Sequence, residues 1–133
     1  MESVILDKPS LTLPHLLVGD FADSLKDKKL SFEPIIHNGR TNADIRWLYK
    51  PEETNGSAAA IIRYHKGGSG KMHLHTGYEL IYIFEGEMET TTGVVKKNDL
   101  VLLKPGSVHA SKCSDGCVAL IIWQQPVQTL LAS

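Results

Sequence analysis

Between Gly67 and Gly86 the chain reads GGSGKMHLHTGYELIYIFEG, which sets His73, His75 and Glu79 after a glycine-rich segment and ahead of an apolar strand. Successive side chains of a β-strand point to opposite faces, so His73 and His75, two apart, share a face while Leu74 turns away. Two neutral imidazoles with a carboxylate suit a borderline divalent ion such as Zn, Fe, Ni or Mn; Mg or Ca would call for oxygen ligands. His109 is the natural fourth ligand. It follows the turn cluster Lys104-Pro105-Gly106-Ser107, which ends the apolar run from Leu100 to Leu103 and opens a new strand.

The rest of the chain reads as short strands. From Ser31 onward they are expected at Phe32 to Ile36, at Ile45 to Tyr49 after an Asn38-Gly39 turn, and at Ala58 to His65. The Gly67 to Gly70 turn, the motif strand, Glu87 to Thr92, Val94-Val95, Leu100 to Leu103 and Val118 to Gln124 follow. Turn signals every ~8–12 residues and no helix of core size indicate an all-β sandwich or barrel. Residues 1–30 carry little periodicity. Pro9 and Pro14 break their first part, and Asp20 is a candidate N-cap for a short helix reaching Leu25 and Lys26.

The histidine stretch resembles the cupin superfamily. The first cupin pattern, G-x5-H-x-H-x3-E-x6-G, is met by Gly67, His73, His75, Glu79 and Gly86 with every spacing kept. In the second, G-x5-P-x-G-x2-H-x3-N, Gly106 and His109 match, whereas Asn98, Lys104 and Cys113 stand at the glycine, proline and asparagine positions, with Pro105 one place on. The resemblance implies a single-domain cupin (RmlC-like) jelly-roll β-barrel in which His73, His75, Glu79 and His109 bind one divalent metal ion per chain. PGSVHASKCSDGC also looks like the cupin domain of ChrR-type anti-sigma factors, where a PGSxH turn precedes a Gly-Cys pair.

A length of 133 residues suits one domain. The expected division is an N-terminal extension, residues 1–30, packing on the barrel or on a partner subunit, and a barrel over 31–133. A formal net charge of −1 with scattered Lys and Arg gives no electrostatic footprint for nucleic acid or an anionic membrane. MESVILDKPS has no basic start and no long apolar segment, and Val118 to Trp123 is too short to span a bilayer, so a cytoplasmic protein is expected. The two cysteines, Cys113 and Cys117, flank Ser114-Asp115-Gly116, a hairpin signal that would face the thiols across one turn. A redox switch is one reading; small apolar fillers at strand ends is the favoured one.

If Glu79 points inward, Ile81 and Ile83 share its face, and Leu80, Tyr82 and Phe84 lie outward where polar residues belong. Either residues 1–30 or a second subunit must cover them. Cupins commonly dimerise through such a face, so the resemblance favours a homodimer. His15, His37 and His65 read as satisfied core groups, and Glu85, Glu87 and Glu89 as a solvated strand face. Arg63, Tyr64, Trp47 and Tyr49 are candidates for a small-molecule pocket, with core or interface packing as the rival reading. The resemblance implies two functions: a non-haem metal dioxygenase acting on a small dicarbonyl or enol, or a non-catalytic ChrR-like module that senses metal or ligand. A barrel that keeps the ligands but loads no metal is the bland alternative, and a metal-free isomerase fits the full ligand set poorly.

Overall fold

In the computed structural model, which describes residues 16–26, 30–35 and 39–130, the chain divides into two units, Met1–Leu30 and Ser31–Ser133. In the first, helix α1 spans Phe21–Lys26. Its opening is tied down by Ser24, whose amide donates to the Asp20 carbonyl at 2.9 Å and whose hydroxyl donates to the Gly19 carbonyl at 2.8 Å. His15 and His37, expected in the core, lie outside the described residues, as do Ile36 and Asn38.

The second unit is antiparallel throughout. Its strands are β1 (Glu33–Pro34), β2 (Arg40–Tyr49), β3 (Ala58–Leu74), β4 (Glu79–Thr90), β5 (Gly93–Lys96), β6 (Leu100–Leu103), β7 (Val108–Cys113), β8 (Cys117–Trp123) and β9 (Gln128–Thr129), with a one-turn helix α2 (Pro51–Thr54) between β2 and β3. The all-β jelly-roll expectation holds. Two long strands change partners midway: β3 pairs with β8 over Ala58–Tyr64 and with β7 over Gly68–Leu74, while β4 passes from β6 and β8 to β5 and β7. That exchange folds one sheet into two facing layers.

Several boundaries differ from expectation. Gly67 to Gly70 is not a turn but part of β3, because Gly68 and Gly70 lie too close to the Asn42 carbonyl and the Ser111 hydroxyl to carry a Cβ. Gly86 likewise sits inside β4 at φ +78°, where a Cβ would strike the Gly116 carbonyl and Cys117. The strand expected over Phe32 to Ile36 shortens to Glu33–Pro34, and β2 begins five residues early, at Arg40 rather than Ile45.

The core alternates as period-two patterning requires. Cys117, Ala119, Ile121 and Trp123 on β8 lie beside Ile81 and Ile83 on β4 and beside Ala58, Ala60, Ile62 and Tyr64 on β3, on one shared inner face. Cys113 and Cys117 are buried there and joined in a disulfide, with Cα atoms 5.9 Å apart. The favoured reading of two unlinked fillers is therefore corrected: antiparallel pairing across the Asp115-Gly116 turn brings both sulfurs to one inner face. His65 is also no core group. Its side chain is half exposed and meets Asp44 at 2.7 Å, beside an Arg63–Asp44 ion pair at 2.8 Å.

Candidate metal centre

His73 ends up inside because β3 carries a register irregularity between Gly70 and His73. Just before that point the even-numbered Gly68 and Gly70 are buried; Lys71 and Met72 are then both exposed, and the buried parity becomes odd at His73 and His75. One extra residue in a strand flips every later side chain to the other face. His73 is the direct cross-strand partner of His109 on β7, and Glu79 opens β4 with Ile81 and Ile83 behind it. The motif residues thus converge from the end of β3, the loop after it, the start of β4 and β7.

The three imidazoles stand edge to face around a common point, with centroids 4.9 Å apart for His73–His75, 4.6 Å for His73–His109 and 4.7 Å for His75–His109. One ligand atom from each of His73, His75, Glu79 and His109 lies within 4.8 Å of every other, and all four residues are buried. Two ring tautomers are fixed from behind. The Nδ1–H of His73 donates to the Lys71 carbonyl at 2.8 Å, and that of His75 to the Ser107 carbonyl at 3.0 Å, so each ring keeps its Nε2 lone pair free.

The electrostatics agree with a cation site. Burial pushes His109 down to about 4, helped by the charges of His73, His75 and Arg40. Burial also lowers His73 despite its Lys71 hydrogen bond and the nearby Glu79. Burial alone would lower His75 too, but the Glu79 carboxylate, with Oε2 3.5 Å from Nε2, raises it instead. His75 Nε2 and Glu79 Oε1 are buried without a hydrogen-bond partner. Orphaned buried acceptors are costly, and a shared cation is what would satisfy both. Ligands about 2.1 Å from an ion stand at most roughly 4.2 Å apart, so the group needs only a slight inward shift to close on one.

The departures from the second cupin pattern leave the backbone intact. Asn98 stands where glycine is usual and adopts φ +71°, a left-handed conformation asparagine tolerates, while Gly106 takes φ +90°. Of the pocket candidates, Trp47 lines a cavity, Tyr64 is buried, Tyr49 is exposed, and Arg63 is engaged by Asp44 and the Phe32 ring. The sequence reading missed Arg40 and Trp123, which line that same cavity. Trp123 could have been found by alternation, as it keeps the inward parity of Ala119 and Ile121.

A family model described as the ChrR cupin-like domain matches residues 27–128. No curated protein matches in sequence. Among solved structures, an acetylacetone dioxygenase from Acinetobacter johnsonii aligns with TM-score 0.73 at 15% identity, covering 97% of this chain and 85% of that one. The polyketide cyclase RemF from Streptomyces resistomycificus aligns with TM-score 0.65 at 19% identity over 80% and 83% of the two chains. A cupin-like protein from Thermotoga maritima gives 0.61 at 19% identity over 74% and 89%. These likenesses show a shared fold.

Proposed function

Because the chain belongs to the ChrR cupin-like domain family, we propose that His73, His75, Glu79 and His109 hold one divalent transition metal ion, Zn, Fe, Ni or Mn, and that the protein acts on a small molecule. The finer reading is a non-haem metal dioxygenase for a small dicarbonyl or enol. The observation that supports the metal is the convergence of free Nε2 lone pairs and an unpartnered Glu79 oxygen inside a buried group. The fold likeness to a dioxygenase supports the chemistry. A redox-active ion here would supply Lewis acidity and oxygen activation, whereas zinc would supply only the first.

The residues of the chain do the rest. Lys71 and Ser107 carbonyls aim two imidazoles, and Glu79 contributes the only anionic ligand, lowering the charge of the loaded site. Protein purified without a metal-affinity tag should contain close to one ion per chain, and His75→Ala and His109→Ala should each lose it. Metal content unchanged in both variants would sink the assignment.

Loaded with iron(II), the protein should consume dioxygen when given a β-dicarbonyl, and loaded with zinc it should not. Glu79→Gln, which keeps size but removes the anionic ligand, should depress turnover more than folding. The family match favours a second reading, a sensory module in which metal loading changes stability or partner binding without turnover. A flat oxygen-electrode trace for iron-loaded protein across dicarbonyls, enols and catechols would select it.

A further inference from the structure

Within the barrel unit a cavity of about 350 Å³ lies beside the His/Glu group. Its wall is largely apolar: Ile45, Trp47, Ala58, Trp123 and Val127 contribute to it. It borders the group through two strand pairings, since Trp123 is the cross-strand partner of Glu79 and Thr129, also on the wall, is that of His73. One cation stands in this apolar surface, Arg40.

Arg40 is there because of a bulge. On β2, Ala43, Ile45 and Trp47 face inward, so strict alternation would turn Arg40 away; the register shift between Thr41 and Ala43, with Asn42 at φ +53°, restores it to the inner face. Its guanidinium is then held in place. Nε donates to the hydroxyl of buried Tyr64 at 3.1 Å, and Cζ lies 5.8 Å from the Trp123 ring centroid. Among the described residues no carboxylate pairs with it; Glu52, the acidic residue of the wall, is exposed on α2 and makes no ion pair. The Tyr64 bond uses Nε and leaves the terminal nitrogens for a ligand. A second polar atom on this wall wants a partner: the buried indole N–H of Trp123 donates to nothing.

We propose that this cavity seats a small organic carboxylate with a flat apolar body, its carboxylate paired with Arg40 and its body against Trp47 and Trp123. A half-buried guanidinium in an apolar wall is a fork matched to a carboxylate, and its charge counts for more there than in water. A loaded metal centre would add positive charge beside it, since one divalent ion outweighs the single Glu79 carboxylate, and the pocket then selects anions more strongly still. The inference deepens the functional reading above by naming the ligand class, but anion binding at Arg40 does not need the metal.

The chain holds two tryptophans, Trp47 and Trp123, and both line the cavity, so intrinsic fluorescence excited at the indole band reports on this pocket. Metal-depleted protein would be titrated with 3-phenylpropanoate and with 3-phenylpropanamide, a neutral compound of nearly the same shape. The carboxylate should bind at least about tenfold more tightly, as charge-assisted hydrogen bonds to one guanidinium imply. Arg40→Gln should erase that ratio while leaving amide binding in place, and Arg40→Lys should restore part of it. Equal binding of the two compounds to the unmodified protein, no binding of either, or a ratio that survives Arg40→Gln would overturn the proposal. The compound pair is compared on unaltered protein, so a variant that fails to fold does not shield the proposal from refutation. Metal content is measured separately: loss of metal binding with the carboxylate preference intact sinks only the metal reading, and the reverse sinks only this one.

Discussion

Four titratable groups packed into one buried site make the metal-free protein sensitive to acid, and the direction can be worked out residue by residue. His109 titrates near 6.5 when unfolded and at about 4 when folded, so below pH 6.5 the unfolded chain takes up a proton that the folded chain refuses. The stability this group permits is therefore present above pH 6.5 and lost as pH falls toward 4, by about 2 kcal/mol at pH 5. His73 is shifted the same way, while His75, raised by Glu79, acts in the opposite sense and offsets part of the loss. Melts of metal-depleted protein should show a midpoint that drops steadily from pH 7 to pH 5. A metal ion ligated by the imidazoles would hold them neutral, so the metal-loaded protein should keep its midpoint to lower pH and release the ion where protons win. Identical pH profiles with and without metal would contradict a histidine-ligated site.

Backbone positions that only certain residues can occupy hold these side chains within their strands. Gly86 carries φ +78° against the Gly116 carbonyl, so Gly86→Ala meets both left-handed strain and a backbone clash; it should cost about 2 kcal/mol or more, read as a lower urea midpoint. Asn98→Gly keeps the conformation but drops the Tyr82 hydroxyl's acceptor, which lies 2.9 Å away at an exposed site, and should cost little; Asn98→Val should cost more than Asn98→Gly. This is also the scale at which legibility divides. His73, His75, Glu79 and His109 were readable because their spacing is local or punctuated by a turn. The inward placement of Arg40 was not, since it depends on a bulge at Asn42 that reverses the parity of β2, and a bulge leaves no mark in hydrophobic alternation. The long run of β3 through Gly67 to Gly70 was hidden for a related reason: those glycines look like a turn, and only the neighbouring Asn42 carbonyl and Ser111 hydroxyl show that close packing selects Gly68 and Gly70, while Gly67 takes φ +80°.

At the scale of the molecule, the barrel unit presents an apolar outer face that its own sheet does not cover. Leu80 on β4 lies between Leu102 on β6 and Ile122 on β8, and Tyr82 between Leu100 and Leu120, so the outward residues of three adjacent strands form one stripe. Within that unit, Leu100 is 66% exposed, Leu102 51%, and Leu80 and Ile122 37% each, which is more apolar surface in one place than scattered exposure accounts for. A second copy of the chain would supply a matching stripe through a two-fold axis, and burying these side chains would contribute roughly 1–2 kcal/mol apiece at the usual area coefficient. The expected state is a homodimer by light scattering at micromolar concentration. Tyr82→Lys puts a charge in the middle of the stripe beside the Phe84 ring, 4.9 Å from Tyr82, and should yield a monomer or an aggregate with the metal content of the unmodified protein. A monomeric unmodified protein would rule out the dimer.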